Sequence, residues 1–103
     1  MTRLAISSFP ELRRAFSGYL HEDLLADAGT PEAALRAYWA DAAPRERRQF
    51  QREAARFLAR TSELGLDRLR ELVHQLGSRW IPPSPEALIA LLTAASSFPD
   101  SPN

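Results

Sequence analysis

The sequence has no cysteine and no lysine: all thirteen basic residues are arginine. Without cysteine, neither a disulfide framework nor a thiolate metal centre can form, so the fold must rest on its core and its polar contacts. β-Branched aliphatics are scarce, limited to Val73 and to Ile6, Ile81 and Ile89. Since such residues favour pleated surfaces, this argues against a sheet. No apolar run approaches the roughly 20 residues that span a bilayer, and Met1 to Pro10 holds no run of signal-peptide length. These absences predict a protein of the cytoplasm with no membrane association. Net formal charge is zero, so the overall field favours neither nucleic acid nor an anionic membrane.

What is present is mostly alanine and leucine in a chain of 103 residues, enough for one modest core and too short for two. Residues 1–95 read as a single helical domain and 96–103 as a flexible tail. The charge is unevenly spread. Residues 21–44 carry Glu22, Asp23, Asp27, Glu32 and Asp41 against Arg36, whereas residues 45–60 carry six arginines against Glu46 and Glu53.

Glycine and proline divide the chain into five helices. Helical periodicity lapses at Gly18, Gly29, Gly65 and Gly77, while Pro10, Pro31, Pro44 and Pro85 stand where a first helical turn accepts proline. The first helix spans about Pro10 to Ser17 with Ser8 as cap, and Leu12, Phe16, Tyr19 and Leu20 line one side. Thr30 caps the second, which buries Ala34, Leu35, Tyr38 and Trp39 and stops near Ala42. The third, Pro44 to Thr61, sets Phe50, Ala54, Phe57 and Leu58 against a stripe of Arg45, Arg48, Arg52, Arg56 and Arg60. Asp67 caps the fourth, with Leu69, Leu72, Val73 and Leu76 inward and Gly77 closing it. After an extended link through Trp80, Pro82 and Pro83, Ser84 caps the fifth, with Leu88, Ile89, Leu91 and Leu92 as its apolar face. Short connections between such helices predict an all-α, compact single-domain bundle.

Few residues carry chemistry. His21-Glu22-Asp23 places an imidazole beside carboxylates, but no second histidine stands at ligand spacing and no nucleophile occupies a recognisable turn. No catalytic residue, metal site or cofactor is therefore assigned. Taken together, Glu22, Asp23, Asp27 and Glu32, flanked by Tyr19 and Trp39, offer the carboxylates of a phosphate mimic to a basic partner. The arginine stripe suggests an alternative, a nucleic-acid-associated regulator, although balanced charge and the lack of a base-reading signature weigh against it. Trp80, in an extended link, either plugs the end of the bundle or meets a partner.

The order Phe9-Pro10-x-Leu12-x-x-x-Phe16-x-Gly18-Tyr19-x-His21-x-Asp23, followed by Thr30-Pro31-x-x-Ala34-Leu35, resembles the opening of the small helical CdiI immunity proteins of bacterial contact-dependent growth inhibition. The likeness extends loosely to about residue 95 through Gly77, Trp80, Pro82 and Pro83, while Leu20 and Leu24 stand where that family would have aromatics. It implies a non-enzymatic partner of the toxic C-terminal domain of a cognate CdiA protein, which it would bind and block. Such toxins are frequently nucleases. Partner-binding residues are then expected among Tyr19, His21, Glu22, Asp23, Asp27, Glu32, Trp39 and Trp80.

Overall fold

The computed structural model describes residues 6–98, and among them there are helices and no strands. A 3-10 turn, Ile6–Ser8, leads into α1 (Pro10–Tyr19), then α2 (Glu22–Ala28), α3 (Pro31–Asp41), α4 (Pro44–Thr61), α5 (Leu66–Gln75) and α6 (Pro85–Ser96). No helix among the described residues is long and apolar enough to cross a membrane. Helix α1 packs on α3 and α4, and α6 packs on the same two, so the four close into a ring around the core; α2 lies on α3. Proline occupies the first turn of α1, α3, α4 and α6, as its fixed φ and missing N–H allow. Thr30 and Ser84 accept from Ala33 N and Ala87 N at 3.1 Å each and cap α3 and α6 as expected.

The structure corrects several local expectations. Ser8 is not the cap of α1: Phe9 holds that position, with no side-chain cap. Asp67 does not cap α5 either, because Gly65 is the N-cap and Asp67 lies inside the first turn, where its charge still complements the helix dipole. Helix α1 runs through Gly18, and the acidic segment after it is itself helical, giving one more helix than expected. Ile89 is 48% exposed rather than buried with Leu88, Leu91 and Leu92. Nor does the fold end at Ser96. Phe98 is buried, edge-on to Trp39 at 5.9 Å and under the Arg36 guanidinium at 4.4 Å. Residues 99–103 of the expected tail lie outside the described residues.

The missing cap of α1 is supplied from another helix. Glu53 on α4 is wholly buried, and its Oε1 accepts from the backbone N–H groups of Glu11 at 2.8 Å and Leu12 at 3.0 Å. Its other oxygen accepts from Gln49 Nε2 at 2.6 Å. A carboxylate so placed satisfies two of the helix's unpaired donors and sits at the positive end of its dipole.

Opposite polarity is handled in kind. Arg47, also buried, donates its Nε–H to the Trp39 carbonyl in the last turn of α3 at 2.9 Å. Gln51 Nε2 donates to the carbonyl of Ser96, the last residue of α6, at 2.8 Å. Helix α4 thus completes the ends of three neighbours with the polarity each end requires. Arg56 adds a bond to the Ser8 carbonyl at 2.8 Å and lies over the Phe9 ring at 5.1 Å.

Gly77, at φ +95°, ends the α5 segment against α1. A Cβ there would stand 2.5 Å from the Ser17 Cβ, so both the backbone angle and the close approach require glycine. The Arg79 N–H then bonds the Leu20 carbonyl at 2.7 Å, fixing the extended link against the end of α1.

Replacing Glu53 by alanine leaves one buried and one part-buried N–H group without an acceptor and should lower stability by about 3 kcal/mol, with Glu53→Gln losing less because its amide oxygen still accepts. Urea unfolding of both variants measures this; a loss under about 0.5 kcal/mol for Glu53→Ala, the range of an ordinary surface change, would contradict it.

A candidate partner-binding surface

The predicted site residues fall into three groups. Glu22, Asp23 and Asp27 are exposed on α2, and Glu32 is exposed in the first turn of α3, against which α2 packs. None of the four forms an ion pair with another described residue; the ion pairs found join Arg14 to Glu11 and Glu46, and Arg68 to Glu71. The α2 segment forms because the His21 carbonyl accepts from Leu25 N at 2.9 Å, Glu22 and Asp23 sit in the first turn near the helix's positive end, and Leu25 packs on the core.

The second group is a groove. Glu32 and Trp80, 48 positions apart in sequence, line the same hollow of about 360 Å³ together with Thr30, Pro31, Pro83, Ala87, Ala90 and Leu91. The link that carries Trp80 is held by Arg70 Nε donating to the Pro82 carbonyl at 3.0 Å, and by Ser78 Oγ donating to the Trp80 carbonyl at 2.8 Å. Trp80 is neither a full plug nor free in water: its ring is half-buried, one side against the core.

The third group turns inward. Trp39 is only 4% exposed and stacks edge-on to Phe50 at 6.0 Å, so it supports the surface from beneath rather than meeting a partner, a correction to the expectation that it flanks the acids. Tyr19 lies edge-on to Tyr38 at 5.5 Å, and its hydroxyl donates to Asp41 Oδ2 at 2.7 Å. Tyr38 in turn donates to Glu11 Oε2 at 2.6 Å. The bond to Asp41, and then partial burial, raises the Tyr19 phenol above its ordinary value; burial, and then the bond to Glu11, raises Tyr38 further. Both remain protonated donors at neutral pH, and their carboxylate partners are committed within the fold.

Arg14 joins this network by pairing with Glu46 and reaching Glu11 Oε2 at 3.5 Å. Glu46 also accepts from Ala43 N at 2.7 Å, closing the first turn of α4. Sequence reasoning missed Glu11, Asp41 and the small groove residues Ala87 and Ala90. The tyrosine partners lie 22 and 27 positions away, and no local pattern marks them.

The sequence model of the CdiI immunity protein family matches residues 8–90, which includes the acidic surface and all of the groove lining but Leu91. The chain belongs to the CdiI immunity protein family. Membership supports an immunity function against contact-dependent inhibition toxins, carried by an all-helical chain. No curated protein and no solved structure matches the chain.

The Glu46 carboxyl is held below the usual carboxylate range first by the Ala43 N–H and then by Arg14. Its folded pKa lies under its unfolded value of about 4.3, so its contribution is complete above about pH 5 and disappears as the pH falls through the folded value. The melting temperature of Glu46→Gln should fall below that of the unmodified chain at pH 7, and the gap should narrow as the pH falls below the ordinary carboxylate range. A gap unchanged across that fall would contradict this account.

Proposed function

We propose that the protein binds the toxic C-terminal domain of a cognate CdiA-type toxin, that this domain is a nuclease, and that binding in the cytoplasm blocks it. The observation that carries the nuclease reading is the set of exposed carboxylates Glu22, Asp23, Asp27 and Glu32, which form no ion pair among the described residues. A nuclease cleft is lined with cations that grip phosphates, and a rigid array of carboxylates offers it a substitute. The protein acts by occupying its partner and catalyses nothing.

Protection from a lethal enzyme demands slow release. An affinity of about nanomolar corresponds to about −12 kcal/mol, commonly reached across roughly 1,600 Å² with a few dominant anchors. The carboxylates chiefly accelerate encounter, and apolar anchors set the rate of release. Tyr19 and His21, at the junction of α1 and α2, belong to the border of this surface, and Trp80 belongs to its apolar part.

The arginine face of α4 is less suited to a nucleic acid than its sequence suggested. Arg56 is engaged with Ser8 and Phe9, and Arg52 donates to Gln49 Oε1 at 2.7 Å.

Co-expression with the toxin domain that the immunity reading expects to be encoded immediately upstream should permit growth and give a complex that co-purifies. Neutralising Glu22, Asp23 and Asp27 together (to Gln, Asn and Asn) should slow association by about tenfold or more at low salt and flatten its salt dependence. Death of the host with no complex would overturn the immunity reading; an unchanged association rate and salt slope would overturn the role of the acids.

A further inference from the structure

We infer that the groove between the start of α3, the Trp80 link and α6 seats an apolar side chain of the toxin domain, carried on a segment with an arginine or lysine next to it. This rests on the immunity reading above and names the anchor that the acids alone do not provide.

Two observations converge on the groove, its apolar walls and its charge. Its walls are apolar: Trp80, Pro31, Pro83, Ala87, Ala90 and Leu91 leave an unfilled hollow of about 360 Å³. Helix α6 contributes small residues there, so the space persists beside the larger Leu91 instead of being packed by the chain itself. An open apolar hollow of this kind marks a place where something else can be buried.

Charge then selects the occupant. The sole charged side chain lining the groove is Glu32, in the first turn of α3, and Thr30 Oγ1 is already engaged as the α3 cap. Glu86 stands one position before Ala87, exposed at the opening turn of α6, and the carboxylates of α2 lie on the α3 side. No arginine among the described residues lines the hollow. Arg36 lies over Phe98, Arg70 donates to the Pro82 carbonyl, and Arg79 lines none of the hollow. An apolar side chain entering this space would leave its neighbour beside Glu32, where a cation is attracted and a carboxylate repelled. A second copy of this chain seated symmetrically on the same face is a poorer fit, because α2 and the groove rim would oppose it with acids of the same sign.

The test compares one substitution at two exposed helical alanines. Ala90→Arg fills the groove and sets a cation against the incoming one, whereas Ala55→Arg makes the same change on α4, away from the groove lining. With the upstream-encoded toxin domain as probe, and thermal melting to confirm that both variants fold, Ala90→Arg should weaken binding by about tenfold or more while Ala55→Arg leaves it within about twofold. Glu32→Gln should slow association a few-fold while leaving release nearly unchanged. If the unmodified chain binds and Ala90→Arg binds as well as it does, or if Ala55→Arg weakens binding equally, the groove assignment is wrong and immunity stands. If the unmodified chain neither binds nor protects, the immunity reading itself fails.

Discussion

The fold depends on a charge that is buried where charge is costly. Glu53 lies wholly inside, yet its carboxylate has three hydrogen-bond partners and faces the positive end of α1. An unpaired buried carboxylate would be expelled or neutralised; one that caps a helix replaces its lost hydration with oriented dipoles. Because Glu53 rides on α4, the position of α1 is tied to the helix that also holds the ends of α3 and α6 through Arg47 and Gln51. Helix α4 is long enough to reach all three ends, and each bond has the polarity its helix end requires. The same side chains that look merely charged in sequence thereby fix the arrangement of the bundle.

That arrangement sorts the remaining polar groups into those that serve the fold and those left for something outside it. Glu11, Glu46, Glu53 and Asp41 are all engaged within the molecule by Tyr38, Arg14, backbone N–H groups and Tyr19. Glu22, Asp23, Asp27 and Glu32 are not engaged by any described ion pair. The aromatic series Tyr19, Tyr38, Phe50, Trp39, Phe98 runs beneath this side of the molecule, each ring touching the next at 5.3–6.0 Å. Such a series makes the underlying surface stiff, and a stiff surface loses little entropy on binding. The proposed immunity complex must dissociate slowly, and a pre-formed surface would serve that end.

Local chemistry was legible in the sequence; partnerships between distant residues were not. Pro31 and Pro44 opened their helices where expected, and Thr30 and Ser84 capped theirs, because each of these signals acts within one turn. The α1 cap escaped notice because Glu53 stands 42 positions from the amide it serves. The segment Glu22–Ala28 reads as a corner in isolation, since seven residues make a marginal helix without the support α3 gives them. Phe98 looked like tail because its partner, Trp39, lies at the far end of α3. At the proposed binding surface the acids could be read directly, whereas the groove could not, being a hollow between three segments that only the fold brings together.

Hydrogen exchange of the protein alone and saturated with its toxin domain tests the account most directly, since it reports where the partner sits without altering either molecule. Slowed exchange concentrated in residues 22–35 and 79–91, with α4 unchanged, is the predicted result. Protection centred on residues 45–60 instead would contradict it and place the toxin on the arginine face.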